Sequence, residues 1–116
     1  MRVRNAAIAA FGAMSLVLTI PTSASAAIGE FQYRYTDANG HHHIRALLDP
    51  AGQQCITLPE VADPATMPAD SPRNRTTASA TVFAEADCEG DTYYTLRPLT
   101  GYGTTKMKIR SVAFSE

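Results

Sequence analysis

Phe31-Gln-Tyr-Arg-Tyr-Thr-Asp-Ala-Asn-Gly-His-His-His-Ile-Arg-Ala-Leu-Leu48 is the stretch that decides the fold class. Phe31, Tyr33 and Tyr35 alternate with Gln32, Arg34 and Thr36. A period of two with aromatics on one side predicts a half-buried strand. Asp37-Ala-Asn-Gly40 follows. Asn-Gly accepts positive φ at both positions and is the strongest short hairpin signal. His41–Leu48 then reads as the return strand, with His42, Ile44, Ala46 and Leu48 sharing one face.

The same pattern continues on the C-terminal side. Asp49-Pro-Ala-Gly52 is a turn and Cys55-Ile-Thr-Leu58 a short third strand. Pro59–Pro72 carries four prolines, three acids and almost nothing bulky. Proline fixes φ and removes an amide donor, so an exposed loop of about 14 residues is expected there. Ala78–Ala84 is alanine-rich, yet Thr81-Val82-Phe83 after Thr76-Thr77 favours a strand. Glu85–Gly90 is an acidic turn, and Asp91–Arg97 a strand carrying Tyr93 and Leu96. Pro98–Thr105, with Gly101-Tyr-Gly103, is a loop or bulged strand. Lys106–Phe114 alternates imperfectly and predicts a last strand. Seven or eight short strands without a helix predict one all-β sandwich with a single core.

The chain has 116 residues, 10 Lys+Arg against 11 Asp+Glu, and a formal net charge of −1. This length predicts one domain. The charge balance gives no basic footprint, so no nucleic-acid partner is expected. Residues 1–26 read as a cleaved signal peptide. Arg2 and Arg4 supply the positive end, Ala6–Ile20 the apolar run, and Ala24-Ser25-Ala26 the small-residue cleavage site. The apolar run is about 15 residues, short of the roughly 20 a membrane-spanning helix needs. The expectation is a secreted, extracellular protein with no membrane contact after cleavage, spanning residues 27–116 and monomeric. Cleavage leaves eight basic against 11 acidic residues, a balance of −3. Cys55 and Cys88 both remain. In an exported domain the simplest reading is one disulfide; free thiols or a metal pair are the alternatives. Two cysteines without a nearby histidine make poor zinc ligands.

A weak internal repeat organises the chain. Phe83 is followed by Cys88 five positions later and Gly90 seven positions later. Tyr33, Ala38 and Gly40 repeat that spacing 50 residues earlier. Physically this is a folded hairpin: the glycine takes a positive-φ turn and the aromatic packs over it. The pattern resembles the βγ-crystallin motif, with Cys88 and Ala38 standing where that motif has its second aromatic. The resemblance covers residues 27–116 as two motifs, about 27–77 and 78–116. It implies two Greek-key motifs in one small sandwich. Asp70-Ser-Pro-Arg-Asn-Arg-Thr76 and Val82–Gly90 are similar to a secreted actinobacterial branch that includes metallopeptidase inhibitors. Tyr33, Gly40, Phe83, Gly90 and Ser111 are the motif positions the resemblance marks as structural.

Metal and catalytic chemistry find little support. Crystallin-type calcium sites use acids and Ser/Thr-Ser near each motif's end, because Ca²⁺ requires hard oxygen ligands. Lys106-Met107, Lys108-Ile109 and Arg110-Ser111 match at Ser111 alone. Thr66-Met67, Pro68-Ala69 and Asp70-Ser71 lack the leading acids. Glu85, Asp87, Glu89 and Asp91 read as a solvated turn. His41 and His43 share a strand face with Asp37 across the hairpin, yet a stable site needs three or four ligands. No metal and no cofactor are expected. The sequence carries no Gly-x-Ser-x-Gly, His-Glu-x-x-His or Walker loop, so no catalytic residue is assigned. Asn74-Arg-Thr76 matches a glycosylation sequon. With a bacterial-type leader it reads as chance or as a structural cap at the end of the first motif.

The functional expectation is a non-catalytic binding module, with inhibition of an extracellular peptidase as the first reading. The resemblance supplies that activity. The proline-rich segment after Cys55 supplies a physical reason, since preorganised loops lose little entropy on docking. The expected contacts are Leu58, Pro59, Glu60, Val61 and Met67. An antimicrobial, killer-toxin-like protein and a purely structural extracellular protein are the alternative readings. The balance of −3 speaks against attack on anionic membranes.

Overall fold

The computed structural model describes residues 26–116, so the expected leader lies outside the described residues except for Ala26. Among these residues seven strands build two antiparallel sheets: β1 Gly29–Thr36, β2 His42–Leu48, β3 Cys55–Thr57, β4 Asp70–Thr76, β5 Ser79–Phe83, β6 Tyr93–Leu96 and β7 Ser111–Ser115. The first sheet has the order β2-β1-β4 and the second β3-β7-β5-β6. β3 therefore leaves the sheet of its own half and pairs with β7 of the other. In return, Tyr102 bridges Arg73 at the free edge of β4.

The hairpin forms where the alternation and Asn-Gly place it, with Thr36 opposite His42 and Glu30 opposite Leu48. Gly40 has φ 84°. Phe31 and Tyr33 point inward and pack with Phe114, Leu58, Val61, Ile109 and Val112 between the sheets. Phe31 meets Phe114 edge-on at 5.5 Å. The His42, Ile44, Ala46 and Leu48 face of β2 is the outer one, with Ile44 and Leu48 left exposed.

Proline did not prevent a strand at 70–76. Between Gln32 and Arg34 the register of β1 against β4 shifts, so Ser71 and Pro72 together oppose Tyr33. This is a bulge, and a residue in a bulge needs no ladder donor. Ser71 takes the left-handed conformation there, φ 53°. The expected 14-residue loop is consequently much shorter. Pro59–Val61 is a 3₁₀ turn, Ala69 is buried, and the continuously exposed part is Ala62–Met67. The last strand is shorter than expected too. In Lys106–Arg110 the Ile109 bridge to Ala69 is isolated, the Arg110 backbone bonds Leu58 and Phe83, and β7 starts at Ser111.

A disulfide joins Cys55 on β3 to Cys88 and closes a separation of 33 residues. By loop-closure entropy it stabilises the fold by about 3–4 kcal/mol. Reduction is expected to lower the denaturant midpoint accordingly. A midpoint unmoved by reductant would show that the unfolded chain is already restricted.

Candidate functional site

The two motif hairpins are built differently. In the second half the Ser111 hydroxyl donates to the Glu85 carbonyl at 2.6 Å and accepts the Cys88 N–H at 2.9 Å. Gly90 has φ 86°, and Phe83 packs on Tyr93 across the β5–β6 pair at 5.7 Å. In the first half Tyr33 does not cover its own hairpin. It is buried between the sheets, and its hydroxyl donates to Glu60 at 2.6 Å. Burial, and then this bond to a carboxylate, hold the phenol well above its ordinary pKa. The ring stacked on the first hairpin is Tyr35, against His43 at 5.1 Å.

Two of the five expected contact residues are core residues. Leu58 and Val61 have no exposed surface, so they anchor the segment instead of meeting a partner. The apolar character that made them conspicuous is the signature of burial. Glu60 is occupied by Tyr33 and lies 3.7 Å from Arg45. Pro59 and Met67 are exposed.

Arg110 is the residue the sequence reading missed. Its guanidinium is buried beneath Ala62–Met67. Nη1 donates to the carbonyls of Val61 and Asp63, both at 2.9 Å, and to Thr66 Oγ1 at 3.2 Å. Nη2 donates to the carbonyls of Thr66 at 2.6 Å and Pro64 at 3.3 Å. The planar fork of arginine suits this, because five donors diverge from one rigid group. The loop also braces itself. Asp63 accepts the Ala65 N–H on its carboxylate, and the Thr66 N–H and hydroxyl on its carbonyl. A groove of about 480 Å³ runs between Ala65–Met67 and Tyr35–Ala38.

Asp37 stands at the rim of that groove. It accepts His43 Nε2–H at 2.9 Å and the N–H groups of Asn39 and His41 at 2.9 Å each. His41 Nδ1 lies 3.9 Å away. His42 points to the opposite side, 2.9 Å from Thr36 Oγ1. The bond to His43, then those to the backbone, lower the Asp37 pKa to about 2. A depressed carboxylate supports the fold above its unfolded pKa, near 3.9, and that support disappears as pH falls through the folded value. Following the Asp37 carboxyl carbon by NMR is expected to give a midpoint near 2. A midpoint near 4 would show that the His43 contact does not persist in solution.

On the second half, Asp87 binds Thr57 through its carboxylate and N–H. Among the described residues no group of three or more His, Cys, Asp or Glu is disposed to hold a metal ion. No helix among them is long and apolar enough to cross a membrane. The sequon asparagine, Asn74, is fully buried and spans the two halves. Its Nδ2 donates to the carbonyls of Ala78, Leu96 and Arg97 at 2.8, 3.2 and 2.9 Å. Its Oδ1 accepts the Thr76 N–H and hydroxyl. Comparison with family models, with curated proteins and with solved structures returned no match.

Proposed function

We propose that this domain is a secreted, non-catalytic binding module that inhibits an extracellular peptidase by presenting residues 62–67. The observation that carries the reading is the Arg110 guanidinium, which grips the loop at both ends. Val61 and Asp63 lie on one side of the Pro64-Ala65 tip and Thr66 on the other. An exposed loop fixed in this way loses little entropy on docking. If a peptidase cuts near the tip, Arg110 still holds both new ends, and their high effective concentration favours rejoining over release. The βγ-crystallin resemblance supports the same reading. The exchange of β3 between sheets and the Ser111 clasp on the Glu85–Gly90 turn fit a two-motif domain of that kind.

The test is a titration of the oxidised protein against metallo-, serine and cysteine peptidases, with residual activity and loop integrity measured together. Stoichiometric loss of one activity with residues 62–67 intact is the expected result. Rapid cleavage within 62–67 without inhibition overturns the reading.

A further inference from the structure

A second surface lies outside the peptidase-binding loop. Along β4 the inward residues are Pro72, Asn74 and Thr76, all buried, and the outward ones are Arg73 and Arg75, both exposed. Two residues of strand rise separate their Cα atoms by about 6.5–7 Å. Together with Leu99–Tyr102 they line a cleft of about 610 Å³. A second cleft of about 340 Å³ adjoins it across the shared Thr100–Tyr102 turn and brings in Arg97.

The charge is unevenly placed. Arg34 and Lys108 lie against Asp70, Arg45 against Glu60, and Arg110 beneath the 62–67 loop. Among the described residues Arg73, Arg75 and Arg97 form no ion pair. Glu30 sits opposite Arg75 in the strand register without forming one. Three free guanidinium groups therefore gather in a domain whose described residues are net acidic.

The floor of the cleft is rigid. Leu99 N–H bonds the Thr76 carbonyl at 2.9 Å, Asn74 N–H the Gly101 carbonyl at 2.8 Å, and Gly103 N–H the Pro72 carbonyl at 2.9 Å. Tyr102 is nonetheless 69% exposed and stands beside the arginines as an aromatic platform. Without a ligand, this arrangement leaves an apolar ring and unpaired cations in water on a fixed backbone.

We propose that the paired clefts bind an acidic polysaccharide, its carboxylate or sulfate groups on Arg73, Arg75 and Arg97 and a sugar ring on Tyr102. Guanidinium forks match such oxyanions in bidentate geometry. Cations on both sides of the shared turn suit a chain with repeating charge better than a single small anion. One aromatic ring among three arginines gives too few stacking surfaces for the successive bases of a single-stranded nucleic acid.

The test measures binding of the oxidised protein at low salt to immobilised polygalacturonate and dextran sulfate. Neutral dextran, polyglutamate and single-stranded DNA serve as comparisons. Retention on at least one acidic glycan and not on dextran is expected, and the better of the two identifies the preferred oxyanion. The double variant Arg73→Gln/Arg75→Gln is expected to weaken it about tenfold or more, and Arg97→Gln by a smaller factor. Tyr102→Ala is expected to weaken it about fivefold through loss of the ring platform. These side chains are exposed, so unchanged thermal midpoints are expected to accompany the losses. Failure to bind either glycan, or binding that survives the double arginine variant, overturns the proposal. Equal or tighter binding of polyglutamate or DNA, or indifference to Tyr102→Ala, overturns the assignment to sugars.

Discussion

Arg110→Ala is expected to lower the unfolding free energy by about 3 kcal/mol and to expose residues 62–67 to proteolysis. The guanidinium is buried and serves five acceptors. Water can reach some of those acceptors once the side chain is gone, so the loss is smaller than the sum of five charged hydrogen bonds. The effect falls first on the loop, because Arg110 holds it to the core. If the whole loss is local, the open population rises about 100-fold and cleavage within 62–67 rises with it. Arg110→Lys keeps the charge, but an ammonium has three donors and no fork, so an intermediate loss is expected. Denaturant unfolding and limited proteolysis measure the two effects separately. A variant with native resistance at 62–67 would show that the Asp63 turn suffices without the guanidinium. It would also remove the main support for inhibition through this loop.

Asn74→Asp is expected to be more damaging for the fold, by about 4 kcal/mol at neutral pH. The replacement is nearly isosteric. It exchanges an amide nitrogen that faces three carbonyl oxygens for a carboxylate oxygen facing the same three. A buried anion would then stand against acceptors with no donor between them. Protonation restores one donor, so the new carboxyl's folded-state pKa lies above its unfolded value. The defect should therefore be largest at neutral pH and shrink as pH falls through that raised value. Denaturant curves at neutral and acid pH test the sign. Equal destabilisation at both would mean that the three carbonyls turn away to water. The burial of Asn74 also means that its sequon is inaccessible in the folded protein.

What was legible in the sequence follows physical lines. The Phe31–Leu48 hairpin was, because a period of two and Asn-Gly are local signals. The cysteine pair was, because two cysteines leave one bridge. β4 was obscured by Pro72, whose missing donor is absorbed by a bulge in β4 itself, set against Tyr33 of β1, that no local pattern announces. The loop was found but its face was inverted. Leu58 and Val61 drew attention because they are apolar, and they are apolar because they are buried. Arg110 went unnoticed because a buried arginine is defined by acceptors 44 to 49 residues away. Its one sequence hint is its position between Ile109 and Ser111-Val112 in a stretch that otherwise turns inward. The outward Arg73 and Arg75, alternating with Asn74 and Thr76, were readable once 70–76 was accepted as a strand.

The position of β7 between β3 and β5 governs the order in which the chain can assemble. Cys55 pairs with Ala113 across that boundary, so β3 has no ladder partner in its sheet until residues 111–115 are available. During synthesis from the N-terminus, the β1–β2 and β5–β6 hairpins can form early while β3 waits. Contacts this distant in sequence make folding slow and late. The sulfur atoms of Cys55 and Cys88 are held together by the same arrangement, so their oxidation should follow sheet closure and act as a latch on a finished fold. A chain ending at residue 110 is expected to remain largely reduced and unfolded, which thiol trapping during refolding would reveal.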